Sequence, residues 1–312
     1  MSSSVKTANV REAENRLIRG KDDYIFDTVI IIITVVFVAA IALPLIYVLS
    51  SSLSDPDEVI LGRVFFWPKG FTLDGYARIF DYKPIWIGYR NTALYTIVGT
   101  TVNLIVTLLC AYSLSRKELV GRKFFTIMFT FTMFFNGGLI PTYLLVHDLG
   151  LYNTFWAMIL PSACSMYNVI IARTYFQTSI PEDLREAALI DGCTNLKLFM
   201  QIILPLAKPI IVVLALFYAV MHWNAFFNAL LYLKDIDRMP LQMFLRNILL
   251  LDQFVDFAGL DAESAAHMTY LLRLKESMKF GIIVISTFPL LILCTVMQKF
   301  FVKGMMIGAV KG

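Results

Sequence analysis

Residues 177–209 read QTSIPEDLREAALIDGCTNLKLFMQIILPLAKP, and they stand between two runs, 149–172 and 209–233, that contain no Asp, Glu, Lys or Arg. A helix rises about 1.5 Å per residue, so roughly 20 apolar residues cross a hydrocarbon layer about 30 Å thick. Both flanking runs reach that length, which makes the charged stretch a connection between two transmembrane segments. Within it, Ser179 followed by Glu182 matches a capping box, with Pro181 in the first turn and acids at the helix start. The spacing predicts a short helix over 184–190, amphipathic by Leu184, Ala187, Ala188 and Ile190. Gly192, after Asp191, suits the left-handed conformation that closes a helix. A second helix is expected from Thr194 or Asn195, presenting Leu198, Phe199, Ile202 and Ile203, until Pro205 and Pro209 end it. The product is a helix–turn–helix lying under the membrane, with Glu186 and Asp191 exposed near the turn.

Working outward, four more runs lack charge: 28–49, 91–115, 124–146 and 280–298. The six runs are 19 to 25 residues long. Across all 312 residues, 58% are hydrophobic and 16% charged, against about 25% charged in a soluble domain. Too few charges remain to cover a water-facing surface of this size, and disorder or a disulfide-stapled secreted fold is excluded. The fold class is therefore an all-α membrane protein with six transmembrane helices. Its parts are an N-terminal segment over 1–27, a membrane domain over 28–298 that includes the loop 177–208, and a tail over 299–312.

Orientation follows from the short loops. The eight residues after the second run hold Arg116, Lys117, Arg122 and Lys123, whereas the next loop, at His147 and Asp148, holds no Lys or Arg. The basic loop is expected on the cytoplasmic side, and six crossings put both termini there. The first run follows 27 residues and no small-x-small cleavage site follows it, so it reads as a retained helix rather than a signal peptide, with Pro44 as a kink. Two long outer segments, 50–90 and 232–279, are expected to cap the bundle or dock an external partner. The second carries an amphipathic piece around 245–257.

Polar side chains inside spans are costly and usually face the bundle interior. Asn103, Asn136, Tyr143, Asn168, His222, Trp223, Asn224 and Asn228 are the candidates for a translocation lining. Each one singly is also explained by an interhelical hydrogen bond. Asn136-Gly137-Gly138 and Pro141 should loosen the third helix. The four cysteines show no metal spacing and no pairing pattern. The chain has no GxxxxGK[ST] phosphate loop, no HExxH and no GxSxG, so it should bind no ATP itself, hold no cofactor and catalyse no reaction. Nothing in it suggests nucleic acid. A self-contained secondary transporter of a small polar solute is the alternative, weakened by the lack of carboxylates in all six runs.

The series Glu186-Ala187-Ala188, Gly192 after three residues, then Ile202-x-Leu204-Pro205 after nine more fits the EAA motif without gaps. In this the chain resembles the membrane-spanning permease subunits of bacterial ABC importers, the binding-protein-dependent inner-membrane components of the type I fold. Ala111–Arg116 with Gly121-Arg122, Trp223-Asn224-x-Phe226 and the tail from Val302 to Gly312 are similar to the carbohydrate-uptake group. Phe135-Asn136-Gly137-Gly138-Leu139-Ile140-Pro141 resembles its oligo- and polysaccharide branch of the LplC/YtcP type. The resemblance implies a bacterial plasma-membrane location, a homologous sister permease in a heterodimer, two cytoplasmic ATP-binding subunits, an extracytoplasmic solute-binding protein and a carbohydrate cargo. It further implies that the segment of Glu186, Ala187, Ala188, Asp191, Gly192, Leu204 and Pro205 couples to the ATPase, Glu186 meeting basic or polar groups and the two alanines allowing close approach.

Overall fold

The computed structural model describes residues 21–250 and 262–309. The chain falls into two compact units, 1–72 and 73–312.

The first unit is dominated by α1, Lys21–Ser52. Its apolar side chains from Tyr24 to Leu49 are exposed on every face, the pattern of a helix whose solvent is lipid. Pro44 lies inside it, and the helix is continuous through that position. After α1 comes the short helix α2, Pro56–Ile60, opened by the Asp55 carboxylate, which accepts from the Asp57 N–H at 2.9 Å. The chain then folds back: Ser50 Oγ donates to the Phe66 carbonyl at 2.7 Å, and Ser54 Oγ accepts from the Lys69 N–H at 3.0 Å.

The second unit begins with α3, Asp74–Asp81, and α4, Lys83–Ser115. Next come α5, Arg122–Phe134, and α6, Leu139–Asp148. Two 3-10 turns, Phe155–Met158 and Leu160–Ser162, lead into α7, Met166–Thr178. The loop contains α8, Glu182–Ile190, and α9, Asn195–Leu198, which continues as a π turn at Phe199–Ile203 and a last turn at Leu204–Leu206. Then follow α10, Lys208–Trp223, α11, Phe227–Tyr232, α12, Leu241–Leu250, and α13, Ala262–Ala309.

No strand occurs among the described residues. Three helices are long and apolar enough to cross a bilayer, at Asp23–Ser52, Lys83–Ser115 and Met278–Gln298. Three further bent pairs raise the number of spans to as many as six. The charge-free runs thus locate the apolar segments, but three of them are not single helices. The run 124–146 is broken between α5 and α6, which meet at 112°. Gly138 there has φ +86°, a backbone that a side chain strongly disfavours. The front of run 149–172 is loop and 3-10 turn, bent by 54° from α7. The run 209–233 stops at Trp223 and restarts at Phe227. Conversely, α13 starts well before residue 280, inside the segment expected to be an outer loop. The amphipathic piece expected at 245–257 is helical through Leu250, and the rest lies outside the described residues. Residues 1–20 and 310–312 lie outside them as well, and nothing is described of the side chains from 299 onward.

At the centre stands α4. It packs against α7 and α10, and α10 in turn packs against α13. Its buried face, Ile85, Gly88, Asn91, Thr92, Tyr95, Gly99, Asn103, Thr107, Leu108, Ala111 and Leu114, recurs at helical spacing. A buried hydroxyl or amide needs a partner there, and most find one across a helix boundary. The Asn91 amide donates to the Asp237 and Met239 carbonyls at 2.7 and 3.1 Å. Tyr95 OH donates to the Arg238 carbonyl at 2.8 Å. Thr92 Oγ1 accepts from the Leu241 N–H at 2.8 Å, and Thr107 Oγ1 pairs with Tyr218 OH at 2.6 Å. This polar ladder fixes the register of α4 against the elements around it.

Candidate functional site

Two regions of the second unit could do work, and the loop 177–208 is the first. Ser179 still closes α7: its N–H donates to the Tyr175 carbonyl at 2.9 Å. Pro181 therefore takes the N-cap place of α8, and no side chain caps that helix. The expected capping box does not form, because Ser179 is spent ending the previous helix. Glu182 turns sideways instead and accepts from Lys117 Nζ at 2.7 Å and Arg185 Nη1 at 3.3 Å. Arg185 also pairs with Glu118, which lies 3.6 Å from Arg116 Nε.

These ion pairs tie α8 to the basic loop after α4. Gln177 Nε2 donates to the Ser115 carbonyl at 3.3 Å and adds a further tie. Under α8 lies a cavity of about 200 Å³ edged by Tyr112, Gln177, Ile180, Glu182, Arg185 and Ile203. Sequence reasoning missed Lys117, Glu118 and Arg185. The only available signal was the i,i+3 spacing of Glu182 and Arg185 beside a charged loop.

The amphipathic reading of α8 also needs correction. Ala188 alone among its residues is buried, at 6% exposure, inside the core cluster with Leu198, Phe199 and Ile203. Leu184 and Leu189 are exposed, and Ile190 is 86% exposed. The inner face is made by one small residue, Ala188, and the Arg185 latch. Apolar bulk consequently points outward. Glu186, Ala187, Asp191 and Gly192 are exposed with it, and Glu186 has no ion-pair or hydrogen-bond partner from its side chain among the described residues.

Gly192 has φ +72° and ends α8 as expected. Thr194 Oγ1 then caps α9, accepting from the Lys197 N–H at 3.3 Å. Leu204 is half-buried against the core cluster, and Pro205 is exposed in the last turn before an 80° bend into α10. Tyr175 OH, donating to the Leu206 carbonyl at 3.3 Å, holds that bend to α7.

Glu118 and Glu182 are both held below the ordinary carboxylate range. For Glu118 its own backbone N–H is the main cause and Arg185 the next; for Glu182 the main cause is the Lys117 ammonium. Depressed carboxylate values stabilise the fold above the unfolded pKa, and the contribution is lost as pH falls through the folded one. The latch should hold from neutral pH through the ordinary carboxylate range and open only as pH falls below that range. Arg185→Ala removes both contacts at once. Hydrogen exchange at 182–190 is expected to speed several-fold in this variant at neutral pH, and an unchanged rate would refute the latch.

The second region is the break between α10 and α11. A cavity of about 220 Å³ there is lined by Met158, Ser162, His222, Asn224, Phe227 and Asn228, among others. His222 is buried, and its Nε2 pairs with Asn103 Oδ1 at 2.7 Å, while the Asn103 amide donates to the Ser162 carbonyl. The imidazole lies flat over Gly99, where a Cβ would meet Nε2 at 2.5 Å. Asn224 is exposed and bonded to the Val220 carbonyl, and Gln242 Nε2 reaches its Oδ1 at 3.4 Å.

The other lining candidates go elsewhere. Trp223 Nε1 donates to the Ser286 carbonyl at 2.9 Å, joining α10 to α13. Asn168 is buried on α7. Asn136 accepts from the Gly138 N–H at 3.0 Å and is exposed at the α5–α6 break. Tyr143 stacks on Tyr232, with ring centroids 6.1 Å apart. Of the lining set, His222, Asn224 and Asn228 share one cavity.

The family described as binding-protein-dependent transport system inner membrane component matches residues 13–307. The chain is 41% identical over 271 residues to protein LplC of Bacillus subtilis, covering 86% of this chain and 89% of that one. It is 37% identical over 288 residues to the polygalacturonan/rhamnogalacturonan transport system permease protein YtcP of the same organism, covering 92% and 99%. Among solved structures it resembles a bacterial ABC transporter involved in the import of the acidic polysaccharide alginate, with a TM-score of 0.81 and 33% identity. That match covers 91% of this chain and 99% of the other.

Proposed function

The chain belongs to the family of binding-protein-dependent transport system inner membrane components, and from that premise we propose how its two regions divide the work of an importer. It is a transport permease subunit, not an enzyme and not a self-contained carrier. Its cargo is a carbohydrate, of oligo- or polysaccharide size. The cavity at the α10–α11 break supports this: the amides of Asn224 and Asn228 stand beside the rings of Phe226 and Phe227, the mixture of hydrogen-bonding groups and apolar faces that a sugar needs. A sister permease completes the path, and an extracytoplasmic binding protein delivers the cargo.

Energy enters through α8. The observation that carries this reading is the two-sidedness of that helix. Its inner side is pinned by Arg185 and Ala188, and its outer side offers Glu186, Ala187, Leu189 and Ile190 with no partner in the chain's own core. A cytoplasmic ATP-binding subunit would seat this face, so that its closure moves α8 and, through the Leu198–Ile203 packing, the foot of α10. The basic loop 116–123, α8 and both termini then lie on the cytoplasmic side of the bacterial plasma membrane.

Reconstitution tests the whole reading. Uptake of a labelled oligosaccharide should require this chain, a sister permease, ATP-binding subunits and the binding protein together. Uptake by this chain without an ATPase would overturn it. Within that assay, Gly192→Val should uncouple ATP hydrolysis from uptake. Open space surrounds the position, so the cost comes from forcing a β-branched residue to φ +72°, about 1–3 kcal/mol of strain. The turn relieves it by changing the angle between α8 and α9. Normal coupling in Gly192→Val would count against the lever.

A further inference from the structure

A third cavity, of about 410 Å³, opens between the start of α5 and the end of α7. Arg122, Lys123, Thr126, Ile127 and Arg173 line it. Three cations from two helices converge there, and no carboxylate pairs with any of them among the described residues. On two of these lining residues a polar atom, Arg173 Nε and Thr126 Oγ1, is buried and without a hydrogen-bond partner among the described residues. Buried donors left unmade are costly, and three like charges side by side repel. Both facts call for an anion that the chain does not itself supply. The first turn of α5 adds to the attraction, since no side chain caps it and its dipole favours negative charge.

What leads away from the cavity decides the kind of anion. Below the cationic end, Ile127, Phe131 and Phe134 follow one another at helical spacing on α5 and are all exposed. A free phosphate would use the cations and leave this apolar strip bare. An amphiphile would cover both. We propose that the cleft between α5 and α7 is a binding site for an anionic phospholipid, its phosphate held by Arg122, Lys123, Arg173 and Thr126 and an acyl chain lying along the α5 strip. This goes beyond the assignment of cargo and coupling, and neither His222 nor α8 takes part in it. The lipid would fasten the short, bent α5 to α7 from outside.

The test is native mass spectrometry of the detergent-purified importer complex titrated with phosphatidylglycerol, phosphatidylcholine or inorganic phosphate. Phosphatidylglycerol should be retained in preference to phosphatidylcholine. Arg173→Gln should lower that retention about fivefold, as expected for one basic contact at an anionic surface. Arg173→Lys should restore part of it, and Lys123→Gln, at an exposed position, should lower it without harm to folding. Equal retention of the two lipids overturns the proposal. So does displacement of phosphatidylglycerol by millimolar phosphate, which would mark a free-anion site. Loss of the ATP-binding subunit from Lys123→Gln, with lipid retention unchanged, would assign the patch to protein contact and overturn it too.

Discussion

Ala187→Trp is expected to abolish coupled uptake while leaving the subunit folded, whereas Ala188→Trp is expected to unseat the loop itself. The two alanines are adjacent and belong to one motif, yet one is exposed and the other buried. Ala187 is exposed, so an indole there meets solvent in the isolated chain and a steric block only when a partner docks. Ala188 is 6% exposed and packed in the cluster of Leu198, Phe199 and Ile203. Overfilling such a site costs about 1–3 kcal/mol or more, and α8 would have to lift off its Arg185 latch. Hydrogen exchange over 182–198 should be unchanged in Ala187→Trp and several-fold faster in Ala188→Trp. Co-purification of the ATP-binding subunit should fall at least about tenfold in Ala187→Trp, the equivalent of about 1.4 kcal/mol. Glu186→Arg should behave like Ala187→Trp, since its carboxylate has no partner of its own to lose. Wild-type uptake by Ala187→Trp would remove the outer face of α8 from the coupling interface.

The reason the sequence predicted this segment only in part is visible in the same residues. Gly192, the Thr194 cap and the inward Leu198 and Phe199 are local signals, and they stand where periodicity and cap chemistry put them. The facing of α8 is not local. Hydrophobic periodicity expects Leu184 and Ile190 to seek the core, but a helix whose apolar side waits for another subunit has the same pattern with the opposite orientation. The Arg185–Glu118 pair was illegible for a related reason: it joins residues 67 apart, and no spacing rule reaches that far. In the membrane domain, absence of charge located the apolar runs because the bilayer enforces it everywhere. It did not tell a straight helix from a bent pair, since Gly138 and Asn224–Phe226 break helices without adding charge. The polar residues of the runs were the hardest to assign. Asn103 and Trp223 make interhelical bonds and Asn228 faces a cavity, and all three look alike in sequence.

That distinction carries the second large effect. Gly99→Ala is expected to damage the protein more than removal of the hydrogen bond that Gly99 shelters. A Cβ at position 99 would lie 2.5–2.7 Å from three atoms of the His222 ring. The ring cannot retreat freely, because His222 is 2% exposed and held by Asn103. The clash must push α10 from α4 or drive the imidazole off its partner, at about 1–3 kcal/mol for overpacking. By contrast, an interhelical hydrogen bond in a membrane is worth on average about 0.6 kcal/mol. Asn103→Leu removes two such bonds, to His222 and to the Ser162 carbonyl, and should lower the thermal midpoint of the purified importer by less than Gly99→Ala does. Asn228→Ala, at the cavity wall, should leave the midpoint unchanged and reduce uptake several-fold. If Gly99→Ala is as stable as the wild type, the α4–α10 contact is looser than the geometry demands. If Asn228→Ala transports normally, the cavity at the helix break is not on the path of the cargo.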